Sequence, residues 1–170
     1  AMRRRYPDRE WGGTILVWRK SNTADGLFET EFWSTDNDGI GCVWRYRDPD
    51  NYYQFQMDAE RSFWQLTRRV AGRFTCLAWG DEGFVPKKHY RLRVHFSGDR
   101  MIVFLDGKAL CAVEDDGLKS GRVGFMSRGN QGSHFGNVRL GPGGEPIESA
   151  AVNELLSRWR LSRISLDHFG

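Results

Sequence analysis

The feature that most constrains this chain is a period of two in its apolar residues, repeated in almost every segment from Gly13 to Leu140. In 40–47, Ile40, Cys42, Trp44 and Tyr46 fall on one side, with Val43, Arg45 and Arg47 on the other. In 52–58, Tyr53, Phe55 and Met57 make an apolar side opposite Tyr52, Gln54 and Gln56. In 63–70, Trp64, Leu66 and Val70 point one way and Phe63, Gln65, Thr67 and Arg69 the other; Arg68 interrupts the apolar row. In 89–96, Tyr90, Leu92, Val94 and Phe96 oppose His89, Arg91, Arg93 and His95. Strict alternation belongs to strands with one face on a core and one in water, as in antiparallel sheets. So many half-apolar strands need a second sheet to cover them, which predicts a sandwich of about ten strands.

The turns agree with that reading. Asp106-Gly107 lies between two apolar runs, a strong hairpin signal. Ala71-Gly72, Ser97-Gly98-Asp99 and Asp36-Asn37-Asp38-Gly39 punctuate other strand ends. The chain then changes character. Gly141-Pro142-Gly143-Gly144-Glu145-Pro146 reads as a linker. Beyond it, Val152, Leu155, Leu156 and Trp159 recur at helical spacing, and Ser149 is a suitable N-cap. The expected organisation is a sandwich over 11–140, a linker over 141–148, and an amphipathic helix with a tail over 149–170. Such a short helix is marginal alone and must dock. The flexible linker and the already paired strands favour another chain or domain as its partner, a homo-oligomer through this helix being one such arrangement.

A length of 170 residues suits one domain with a full core. A net charge of +3 and no basic block longer than Arg3-Arg4-Arg5 rank nucleic acid third among partners, behind a glycan or another protein. No apolar run reaches membrane-span length. Cys42, Cys76 and Cys111 are an odd set at wide spacing, neither a disulfide framework nor a zinc site, and read as buried thiols. The opening Ala1-Met2 reads as a cloning remnant, so the lack of a signal-peptide pattern places no limit on compartment.

The run Ser-Thr-Asp-Asn-Asp-Gly-Ile-Gly-Cys-Val-Trp-Arg-Tyr-Arg-Asp-Pro-Asp-Asn-Tyr-Tyr-Gln-Phe over 34–55 resembles the concanavalin A-like jelly-roll domains. It is most similar to laminin-G-like modules, the thrombospondin C-terminal globe and domains of the 3-keto-disaccharide hydrolase type, with Trp44 where those carry Phe. The stretches 98–107, 121–125 and 130–139 resemble the same family's hairpin, G-x-V-G and closing strands. The resemblance implies an all-β, antiparallel two-sheet jelly-roll sandwich, here with a short C-terminal helix. It also implies an extracellular or cell-surface home. Gly136 stands where the closing strand usually carries an acid, which weakens any metal site that acid would complete.

Three candidate sites emerge. Asp36, Asp38 and Asp58 would meet at one sheet edge and could offer oxygen ligands to Ca²⁺, although Asp-Asn-Asp-Gly is also ordinary turn chemistry. Glu29 and Glu31 share a strand face but lack a third acid, Trp33 taking its place, and no Ser-His-Asp or Cys-His order has local support. A catalytic role is therefore not expected. The third candidate is a polar face of three consecutive strands: Arg45, Arg47, Tyr52, Gln54, Gln56 and Gln65. Amides, guanidinium groups and a tyrosine ring suit sugar hydroxyls or carboxylates. The expected function is non-catalytic carbohydrate binding on that face. The alternatives are a protein–protein interaction or oligomerisation module and, third, a glycoside-acting enzyme domain.

Overall fold

The computed structural model describes residues 13–160 and the pair Ile164–Ser165. The proposed boundary at residue 11 and most of the 161–170 tail lie outside the described residues. The strands are β1 Thr14–Val17, β2 Gly26–Ser34, β3 Gly39–Asp48, β4 Asn51–Asp58, β5 Phe63–Val70, β6 Arg73–Gly80, β7 Tyr90–Ser97, β8 Arg100–Leu105, β9 Lys108–Glu114, β10 Arg122–Arg128, β11 Ser133–Gly141 and β12 Ile164–Ser165. They form two antiparallel sheets. One has seven strands in the order β1-β10-β3-β4-β5-β6-β12, the other five in the order β11-β2-β7-β8-β9. The core between them holds Ile40, Cys42, Trp44, Tyr53, Phe55, Met57, Trp64 and Leu66 from the larger sheet. Phe28, Phe32, Leu92, Val94, Phe96, Met101 and Val103 face them from the smaller. The apolar rows of β4, β5 and β7 face this core as expected, as do Ile40, Cys42 and Trp44 of β3; the opposite sides of β3 to β5, expected in water, are largely buried as well.

Arg68, the break in the row, is an inward charge with a partner. Its Nη1 lies 2.9 Å from Asp115 Oδ1. The buried Asp115 also accepts the Tyr53 hydroxyl and the Gly117 N–H. A charge facing a core is tolerable only when paired and hydrogen-bonded. Asp106 (φ 52°) and Gly107 (φ 82°) close β8 on β9 with both residues left-handed, the turn their sequence predicts.

The C-terminal helix, α1 Ala150–Trp159, begins at Ser149, whose Oγ accepts the Val152 N–H at 3.1 Å. It docks on its own domain. Val152 and Leu156 pack with Ile102 and Ala112 on the outer face of the five-stranded sheet. Trp159 packs against Trp79 and Trp64, at ring separations of 4.9 and 6.2 Å. The apolar stripe thus finds its cover within this domain, where the sequence favoured another chain or domain. The linker is held: His95 Nε2 lies 2.6 Å from the Gly143 carbonyl, and the Ser97 hydroxyl and Arg100 guanidinium donate to the carbonyls of Gly144 and Ile147. Glycine freedom in the linker is spent on these contacts. Beyond α1, Ile164–Ser165 pairs with β6. Among the described residues, no helix is long and apolar enough to cross a membrane.

Leu156→Ala is expected to cost about 2–5 kcal/mol, lowering the melting temperature by roughly 4–20 °C. Sedimentation should give the same association state as the parent chain. A change of association state with unchanged melting would instead make α1 an assembly element.

Candidate functional site

The outer face of the seven-stranded sheet collects the expected amides. The β4–β5 register sets Gln56 beside Gln65 and Gln54 beside Thr67. Gln54 Nε2 donates to Gln56 Oε1 at 3.2 Å. Gln54, Gln56, Gln65 and Thr67 are 2, 0, 1 and 1 % exposed. Yet Gln54 Oε1, Gln56 Nε2, both amide atoms of Gln65 and Thr67 Oγ1 have no hydrogen-bond partner among the described residues. An unmet buried polar group costs about 1–3 kcal/mol. Rings and apolar side chains border the amides: Val43, Tyr52, Phe63, Phe74 and Met126 form a second cluster on this face. Tyr52 stacks on Tyr46 at 5.6 Å and meets the edge of Phe74 at 6.4 Å. Burial pushes the Tyr52 phenol up, against the pull of Arg69. Tyr52, Gln54, Gln56 and Gln65 are therefore brought together as expected.

Arg45 is not with them. Two β3 residues, Trp44 and Arg45, oppose the single Val123 of β10, because Val43 pairs with Gly124 and Tyr46 with Arg122. The resulting bulge places Arg45 at φ 47°, in left-handed backbone. The residue is 1 % exposed. It donates to the carbonyls of Ala24 (3.0 Å), Leu118 (2.9 Å) and Gly98 (2.7 Å). Arg45 is thus a tie between three loops. The bulge also reverses the parity beyond it, so Tyr46 joins the outer cluster instead of the core side expected for it. Arg47 is exposed at the rim, where its Nε donates to the Ser120 carbonyl at 3.3 Å.

The aspartates behave differently from the calcium expectation. Asp38 and Asp58 do converge, but on Arg61. Its Nη1 lies 3.1 Å from Asp58, 3.3 Å from Asp38 and 3.4 Å from Glu60. Asp36 turns to the backbone N–H groups of Gln131 and Asn37, which hold its carboxyl below the usual range. The described residues contain no cluster of acidic, histidine or cysteine ligands arranged for a metal ion. The donor set does not fit Ca²⁺, because a guanidinium already stands among its carboxylates. Removing that guanidinium should change the response to the ion. The parent melting temperature is expected to be indifferent to 10 mM Ca²⁺. Arg61→Ala should gain about 1.4 kcal/mol for a millimolar affinity, or roughly 3–6 °C. A Ca²⁺ response in the parent chain would restore the calcium site.

No protein-family profile matches the chain, and no curated protein does. Solved structures do. The carbohydrate-binding module CBM66 from Bacillus subtilis superposes with a TM-score of 0.67 at 18% identity, over 76% of this chain and 91% of that one. The Caenorhabditis elegans galectin LEC-6 gives 0.60 at 11% identity, over 75% and 89%. A proposed glycosyl hydrolase from Parabacteroides distasonis gives 0.57 at 12% identity, over 76% of each chain. The chain has the concanavalin A-like jelly-roll fold.

Within this jelly roll, the acid pair of β2 is engaged. Glu29 lies 2.8 Å from Arg93 Nε, and Glu31 accepts from Asn137 Nδ2 at 2.8 Å. Trp33, next on that face, is stacked between His89 (4.2 Å) and His134 (4.8 Å), with ring planes 7° and 4° apart. Sequence reasoning missed this stack. Its rings come from β2, β11 and the segment before β7, so only strand order joins them. The three cysteines are buried thiols, as expected. Desolvation pushes Cys42 and Cys111 far above the ordinary thiol range, which removes their thiolates.

Proposed function

We propose that this jelly roll is a non-catalytic carbohydrate-binding module whose ligand contacts the amide face of the seven-stranded sheet. One observation carries the reading: the unmet donors and acceptors of Gln54, Gln56, Gln65 and Thr67, gathered on one face beside the Tyr52 ring. Sugar hydroxyls both donate and accept, and can satisfy amide N–H and C=O groups together. A protein that buries such groups without partners gives up stability, which selection tolerates where a ligand uses them. Likeness of fold to CBM66 and galectins supports the reading at the level of architecture, while function lives in the site.

The amides are closed to solvent in this state. Binding must therefore uncover them, and association is expected to be slower than for a preformed open groove. The test is a glycan array followed by calorimetry on the parent chain and Gln54→Ala. A defined sugar class should bind, and the variant should bind at least about tenfold more weakly. Silence across the array in a folded protein would favour the protein-interaction alternative. Equal affinity for parent and variant would remove this face as the site.

A further inference from the structure

We infer that the ligand is anionic, and that a carboxylate or sulfate on its sugar ring is received by a basic cleft at one end of this face. The inference rests on the carbohydrate reading above and adds the ligand's charge. Arg19 and Lys20 follow β1, Arg47 is the last residue but one of β3, and Arg122 opens β10. With Asn22 and Tyr46 they line a cleft of about 380 Å³. That volume sits at the low end for small-ligand clefts and suits one or two sugar rings.

Three chain segments far apart in sequence deliver these four cations to one place. Register explains the meeting of two of them: Arg122 pairs with Tyr46, the neighbour of Arg47. None of the four has a carboxylate within 4 Å among the described residues. Arg61, Arg68, Arg93 and Arg100 elsewhere do, at 3.1, 2.9, 2.8 and 3.2 Å. The nearest acid in sequence, Asp48, is already occupied. The Asn51 amide and the Asp50 N–H do most to hold it below the usual carboxylate range, and Arg47 contributes least. The whole chain carries a net charge of +3, so four unneutralised cations in one cleft exceed the total.

Isolated surface arginines are ordinarily just solvated. Two features separate this cleft from that case. Clustered like charges repel, and a concave wall focuses their field outward, which favours an arriving anion. Tyr46 also links the cleft to the amide cluster, lining the one while its ring stacks on Tyr52 of the other. A sugar ring set against the half-buried Tyr46 would bring its acid group among the guanidinium forks, and uncovering the face would extend the contact to Tyr52. Those forks match carboxylate and sulfate geometry with paired N–H donors.

The experiment is calorimetric titration of the full chain with four hexamers: a galacturonate, a heparin-type sulfated oligosaccharide, neutral cellohexaose and dT6. Each is run at low and moderate salt, with the parent, Arg47→Ala/Arg122→Ala and Gln54→Ala. At least one acidic sugar should bind tenfold or more tighter than cellohexaose. That preference should fall with salt and disappear in the double variant, whose melting temperature should stay near the parent's. A preference for galacturonate points to a carboxylate source, and one for the heparin type to sulfate. Equal binding of neutral and acidic sugars, lost in Gln54→Ala only, overturns the inference and leaves the carbohydrate reading standing. Binding of dT6 as tight as any acidic sugar, lost in the double variant, overturns it in favour of a phosphate site. Failure of every sugar to bind overturns both readings.

Discussion

Arg45→Ala is expected to lower the stability of the domain by about 3–5 kcal/mol, the cost of breaking a buried, hydrogen-bonded charge arrangement. For a domain of this size that is a fall of roughly 6–20 °C in melting temperature. The carbonyls of Ala24, Leu118 and Gly98, which belong to three separate loops, lose their donors together. Arg45→Lys should rescue little, because one ammonium cannot replace a planar fork that reaches three carbonyls. Arg45→Gly provides an internal control. It loses the same bonds but relieves the left-handed backbone at φ 47°, worth about 1–2 kcal/mol. Glycine should therefore be less damaging than alanine, the reverse of the usual order in a strand. Thermal melts of the three variants decide the matter. An Arg45→Ala protein that melts like the parent but loses glycan affinity would return Arg45 to the ligand face.

Gln65→Leu is expected to do the opposite to stability. Both amide atoms of Gln65 lack partners among the described residues, and the residue is 1 % exposed. Leucine keeps most of the volume and removes both unmet groups. At about 1–3 kcal/mol for each group, a gain of at least about 1 kcal/mol, or roughly 2–4 °C or more, should follow. The same substitution should abolish glycan binding, since it deletes a donor and an acceptor at the centre of the face. A variant that is more stable and inactive is the signature of a site that keeps unsatisfied groups for a ligand. A destabilised Gln65→Leu protein would show that the amide is satisfied in the folded chain, and would sink the proposed site.

The two substitutions differ because of local geometry that alternation alone does not reveal. Arg45 and Gln65 both stand at polar positions of a period-two pattern. In β5 the pattern continues unbroken to Gln65, which lands on the outer face with Gln54 and Gln56. In β3 a bulge intervenes after Trp44, and Arg45 leaves the face altogether.

The sequence by itself determined the sandwich. Alternation in β3, β4, β5 and β7 fixes which side chains are buried between the sheets, because a slip of one residue would turn every apolar side chain to water. The Asp106-Gly107 hairpin and the Ser149 cap were legible for the same reason: their chemistry is local. Tertiary structure alone decided the rest. The bulge at Arg45 depends on three distant carbonyls. Arg61 stands among Asp38, Asp58 and Glu60 because loops between different strands meet at one edge. Helix α1 turned inward because His95, Ser97 and Arg100, from the β7–β8 region, hold a linker that looks free on paper. Partners far apart in sequence leave no periodic signal along the chain, and only the order of strands in the sheets brings them within bonding distance.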